Sequence, residues 1–166
     1  MTKKNYLIKF FVVSILAFIL SSCYEFSEAP FKDSDLIKLS DTKFGKEVIE
    51  SFDNIPNNQF TMEMKSGFSD EIKVYEISND YLISQEFKDN KWTIGVYTKN
   101  DNHMMFCSLM ENENLENPTG IIFDIKDDGM GKTYLASGEQ ENLEKLALNL
   151  VNTTPKVCIA IPFGIK

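Results

Sequence analysis

The chain has 166 residues, of which 25 are acidic and 17 basic; its net charge is −8, with one histidine and not a single arginine. That balance excludes a nucleic-acid binder or a protein held flat on anionic lipid by charge, since both need a basic footprint, and the missing arginine removes the planar fork that usually grips phosphate or carboxylate. With 43% hydrophobic and 12% aromatic residues the composition is that of a globular chain rather than a disordered one, and the length suits one domain.

The chain opens MTKKNYLIK, with Lys3, Lys4, Lys9 and no acid, and runs FFVVSILAFIL over residues 10–20 before Ser21, Ser22 and Cys23. As a helix these eleven apolar residues rise only about 16 Å, against the ~30 Å of a bilayer's hydrocarbon. The order of basic start, short apolar run and small-residue exit is that of a signal peptide.

LSSC, residues 20–23, resembles the lipobox of bacterial lipoproteins, an aliphatic residue and two small ones before a cysteine. The resemblance covers residues 1–23 only. It implies that the Cys23 thiol receives a diacylglyceryl group, that residues 1–22 are cleaved off, and that the new amine is acylated, as by palmitate. Two or three chains hold where one lets go, at ~0.8 kcal/mol per buried methylene. Tyr24 follows the cysteine where, in enterobacterial-type sorting, an Asp retains a lipoprotein in the inner membrane, so the resemblance implies outer-membrane sorting. The bland alternatives are a plain secretion signal with an incidental cysteine, or an uncleaved anchor. Removing residues 1–22 takes three lysines and no acid, leaving 14 lysines against 25 acids, a net charge near −11.

Residues 23–34 contain Pro30 and no clear period, which reads as a lipidated tether reaching ~35 Å when extended. Residues 35–166 are expected to form one domain. Phe44, Val48 and Phe52 recur at helical spacing with Ile49 alongside, predicting a first helix over 41–52 that Gly45 weakens. QFTMEMK, EIKVYEI, YLISQEF, WTIGVYTK, MMFCSLM, TGIIFDI and TYLAS then alternate between turns rich in Asn, Asp and Gly, the signature of an antiparallel meander. In WTIGVYTK, Trp92, Ile94 and Val96 face one way and Thr93, Tyr97 and Lys99 the other. Leu143, Leu146, Ala147, Leu150 and Val151 make one apolar face of a helix over 139–151, with Ser137 and Gln140 as a capping box and Asn152 and Pro155 as the stop. A last strand is predicted near 156–161. The expected fold is α+β: an antiparallel meander of about six to eight strands packed against the C-terminal amphipathic helix, with a short N-terminal helix.

Chemistry-bearing patterns are sparse. GMGKT at 129–133 ends like a phosphate loop but has Lys126 where the first glycine belongs, so a glycine-rich hairpin turn is the better reading. DIKDDG at 124–129 lacks oxygen ligands at the third and twelfth positions of a calcium loop, which are Lys126 and Leu135. His103 with Met62, Met64, Met104, Met105 and Met110 could supply soft Cu(I) ligands, yet alternation sends Met104 and Met105 to opposite faces. No spacing selects a pair of catalytic carboxylates, and with His103 alone no nucleophile and base pair stands out.

Cys107 and Cys158 remain as an even pair in an oxidising compartment, for which a disulfide is the default and two buried free thiols the alternative. No cofactor and no metal are expected. The sequence therefore points to a lipid-anchored envelope protein that binds rather than catalyses: a protein-binding module for a basic partner, of which an inhibitor or immunity-type protein is the sharpest case. Its alternatives are a carrier of an apolar small molecule and an assembly or structural lipoprotein.

Overall fold

The computed structural model describes residues 23–53, 72–100, 103–112, 114–115, 118–127, 129 and 131–164. The signal peptide expected over 1–22 and the QFTMEMK strand lie outside them. Among the described residues the architecture is α+β, with two α-helices on a nine-stranded sheet. The strands are β1 (Tyr24–Phe26), β2 (Ile37–Lys38), β3 (Lys73–Ser78), β4 (Tyr81–Lys88), β5 (Lys91–Asn100), β6 (His103–Leu109), β7 (Ile121–Asp127), β8 (Lys132–Gly138) and β9 (Lys156–Gly164); the helices are α1 (Lys43–Asp53) and α2 (Gln140–Thr153).

β2 to β6 form the expected antiparallel meander. The two-residue β4–β5 turn is made by Asp89 and Asn90, both at positive φ, the geometry that matches the twist of paired strands. At β5 the sheet forks. Its C-terminal half pairs with β6, which pairs with β9, while Thr93 and Trp92 pair with β1, which continues into β8 and β7. Helix α2 connects β8 to β9 and so joins the two branches.

Both faces of the sheet are covered around β4 and β5, which is why neighbouring residues in one strand are both buried. On one face Ile83, Ile94, Val96, Cys107 and Leu109 pack with Leu143, Leu146, Ala147, Leu150 and Val151 of α2. Each fully buried Leu or Val of that helix contributes about 1.5–3 kcal/mol. On the other, Val74, Leu82 and Met104 pack with Leu39, Phe44 and Val48 at α1. The alternation read in WTIGVYTK is this division.

The tether is a correction. Residues 23–34 are part of the folded domain: β1 lies between β5 and β8, antiparallel to the first and parallel to the second, with Tyr24 and Phe26 in the core. The chain then crosses the sheet face to β2, burying Phe31 on the way. The Phe31 ring stacks on Tyr75 at 4.5 Å, and its amide and carbonyl form a pair of hydrogen bonds with the Gln85 side chain, at 3.0 and 3.1 Å. With β1 and β2 the sheet exceeds the expected strand number. Buried aromatics, not periodicity, hold this segment.

The capping box is also corrected. Glu139 is the N-cap of α2 and its side chain makes no capping bond, while Gln140 Nε2 donates to the carbonyls of Ala29 and Pro30 at 2.7 and 2.9 Å. The cap of α1 was not legible as one: Thr42 Oγ1 accepts from the Gly45 amide at 2.8 Å and donates to the Leu39 carbonyl at 2.7 Å.

Gly45 does not weaken α1 as propensity suggests, because a Cβ there would lie 1.8 Å from the Leu39 carbonyl oxygen. Gly45→Ala should therefore destabilise the domain by about 3 kcal/mol, the upper range for overpacking, although alanine is the better helix former by ~1 kcal/mol. Urea unfolding tests the sign, and a gain in stability would mean that α1 does not dock so closely.

Candidate functional site

Cys23 sits at the fork of the sheet. Its amide donates to the Leu109 carbonyl at the end of β6 (3.3 Å) and its carbonyl accepts from the Tyr134 amide in β8 (2.8 Å), so its backbone is held by both branches. The thiol is half-buried, and this burial is the larger cause raising its pKa, opposed by a hydrogen bond from the Glu111 amide. Beside it the Tyr24 ring stacks on Tyr134 at 5.3 Å, and the Tyr24 hydroxyl accepts from the Asn112 amide at 3.0 Å. Tyr134 donates its hydroxyl to Glu111 at 2.8 Å, which pushes its pKa up to about 12, and Lys132 stands 3.8 Å from the same carboxylate. Every polar contact here is a structural tie. The residue 23 side chain, half-buried against the Glu111 amide, still reaches the surface at this end of the fork.

Cys107 and Cys158 are bonded, as expected. They lie directly opposite each other in the β6–β9 ladder, with Cα atoms 4.0 Å apart; Cys107 is buried in the main core and Cys158 is exposed. The bond therefore staples the last strand to the meander. It also takes up the two cysteines that a thiol nucleophile or soft metal site would need.

A second place with polar side chains converging lies on the α1 face, where Gly95 leaves a depression bordered by Ser84, Glu86, Thr93, Phe106 and Ser108. A Cβ on residue 95 would meet the Phe106 ring at 2.6 Å, so glycine is what allows that ring to lie across β5. Tyr97 packs on the Phe106 ring at 5.0 Å, and burial pushes its phenol up to about 12. The cavity is about 20 Å³. That is room for roughly one water, far below the ~300 Å³ at which small-molecule pockets begin.

The other sequence candidates disperse. GMGKT falls in the β7–β8 hairpin turn, where Gly129 has φ +82° and its amide bonds to the Asp127 carboxylate, and Asp124 lies within β7. Met104 and Met105 do pack on opposite faces, while Met62, Met64 and the His103 side chain lie outside the described residues. Among the described residues, no three His, Cys, Asp or Glu side chains come together as metal ligands, and no helix is long and apolar enough to cross a membrane.

No protein family, curated protein or solved structure matches this chain. Any function must therefore be read from its own residues. A feature that sequence reasoning missed is that, like β2 and β9 among the described residues, β7 lies at an edge of the sheet. This strand pairs with β8 and, among the described residues, with no second strand, and Ile122 is 74% exposed on it. A run of IIFDI with aspartates was readable as a strand; that it lies at an edge depends on β1 having taken the other side of β8.

Proposed function

We propose that the protein is a lipid-anchored, non-enzymatic binding module of the bacterial envelope, sorted to the outer membrane, that captures a basic protein through strand addition at β7. The observation that carries this reading is the edge itself. An unpaired strand edge offers a row of amides and carbonyls to an incoming extended segment, and an isoleucine beside it gives that segment an apolar anchor. The mature charge near −11, with Asp124 and Asp127 on the edge strand, favours a lysine- or arginine-rich partner and speeds its encounter. An inhibitor or immunity-type role against a basic protein fits this chemistry. The small cavity at Gly95 gives the apolar-carrier alternative no support.

The test is capture from envelope extract with the protein bound through its lipid to vesicles. A stoichiometric basic protein should be retained, lost with Ile122→Lys, and released as salt screens the attraction beyond a Debye length of ~8 Å. Lipid extractable from the core, without a protein partner, would favour the carrier reading instead. Cys23→Ala should abolish lipid labelling, and a variant still labelled at its N-terminus would sink the lipobox reading.

A further inference from the structure

Resting on that lipoprotein reading, we infer that the domain is seated directly on the bilayer surface in one orientation, with the mouth of the fork against the headgroups, rather than swinging on a spacer. A tether of residues 23–34 would have given a reach of ~35 Å. In the structure that reach is zero residues. The backbone of Cys23 is already bonded to Leu109 and Tyr134, the Tyr24 ring is in the core, and the Ser27 amide donates to the Ala136 carbonyl at 2.9 Å. A diacylglyceryl thioether on Cys23 therefore brings glycerol within one side-chain length of the folded surface.

The surroundings of Cys23 suit an interface with lipid. Each branch presents an exposed apolar side chain at this end: Met110, 40% exposed, follows the Leu109 that bonds the Cys23 amide, and Ile125, 54% exposed, lies two strands away on β7, opposite the Tyr134 that bonds its carbonyl. Lysines accompany both. Lys156 pairs in register with Leu109, and Lys126 and Lys132 lie at the matching end of β7 and β8. Glu111 and Asp127 share this end, with Glu111 beside the Tyr134 hydroxyl and Lys132 and Asp127 bonded to the Gly129 amide. Lys156 donates to the Thr154 carbonyl and Lys132 stands by Glu111, whereas Lys126 is exposed and reaches toward headgroups; an exposed lysine beside exposed apolar side chains is the composition of an interfacial surface. The acidic domain as a whole would not stay there by charge, so the covalent lipid supplies the attachment and this surface sets the orientation.

Trp92, the single tryptophan, reports the seat. It pairs in register with Phe26, three residues from Cys23, which places it about 10 Å along the strand from the attachment point. The full chain, purified with its lipid and placed in vesicles of phosphatidylethanolamine and phosphatidylglycerol, should transfer energy from Trp92 to a dansyl headgroup acceptor. A variant carrying Cys23→Ser, with a lipidated cysteine and twelve Gly/Ser residues inserted before it, should lose at least half of that transfer. Equal transfer in the two lipidated proteins would overturn the seat while leaving the lipoprotein reading intact. Intact mass separates the two ideas: a mature chain without acyl mass at Cys23 would overturn both.

Discussion

A chain that begins at Phe31 should fail to fold, whereas one that begins at Tyr24 should fold normally. Removing residues 24–30 takes Tyr24 and Phe26 out of the main core, leaves β5 and β8 without the strand between them, and strips Gln140 of both its carbonyl partners. Deleting a single buried phenylalanine side chain costs about 3–5 kcal/mol. Two buried aromatics together approach the whole of a typical domain's 5–15 kcal/mol. Phe26→Ala isolates the effect at one site, with an expected loss of about 4 kcal/mol in urea unfolding. A disposable tether would give the opposite result, an unchanged midpoint for both proteins, and would return residues 23–34 to the role of a spacer.

The second large effect is expected at the disulfide. The bond between Cys107 and Cys158 closes a loop with a sequence separation of 51. On the chain-entropy account that constrains the unfolded state by about 4 kcal/mol. The double variant Cys107→Ala with Cys158→Ala should therefore lose at least that much stability: the exposed Cys158 carries little packing, while the buried Cys107 sulfur adds a packing loss to the loop effect. Alkylation gives the prior check. The unfolded, unreduced mature protein should take no label at either position, and two added labels would show free thiols. If the double variant unfolded at the same urea concentration as the parent, the bond would not be what holds β9 to β6.

These two results concern different kinds of legibility. The disulfide was readable because it is an inference from compartment and count: once Cys23 is assigned to lipid, two cysteines remain. The strands from β3 to β9 and the helix α2 were readable because their signals are short-range, a period of two or near four bounded by turn residues. Leu143, Leu146 and Leu150 announce a buried stripe whatever they pack against. The α1 face was readable for the same reason, although Gly45 was misjudged. Propensity describes an isolated helix, and the contact that selects glycine there is with a carbonyl outside the helix.

The candidate site was legible only as residue 23 in a lipobox-like string, and its meaning changed with the fold. The dipeptides around Glu25 carry no period, so nothing local marks β1 as a strand; its pairing groups come from Thr93, Trp92 and residues 134–136. The edge character of β7 follows from the same event, since β1 occupies the far side of β8. Gln140 was read as a capping residue because a capping box is a local pattern, yet its partners are carbonyls delivered by the segment after β1.

What the sequence determined by itself is the acidity, the lipobox-like start, an even cysteine pair for which a disulfide is the default and the alternating strands, all of which depend on counts or on neighbours a few residues apart. What only the tertiary structure decided is where the domain begins, that β7 lies at an edge of the sheet among the described residues, the bond between Cys107 and Cys158 and how close the core lies to Cys23. Those depend on long-range strand pairing and on aromatic burial, and burial is a property of the partner surfaces that no local pattern contains.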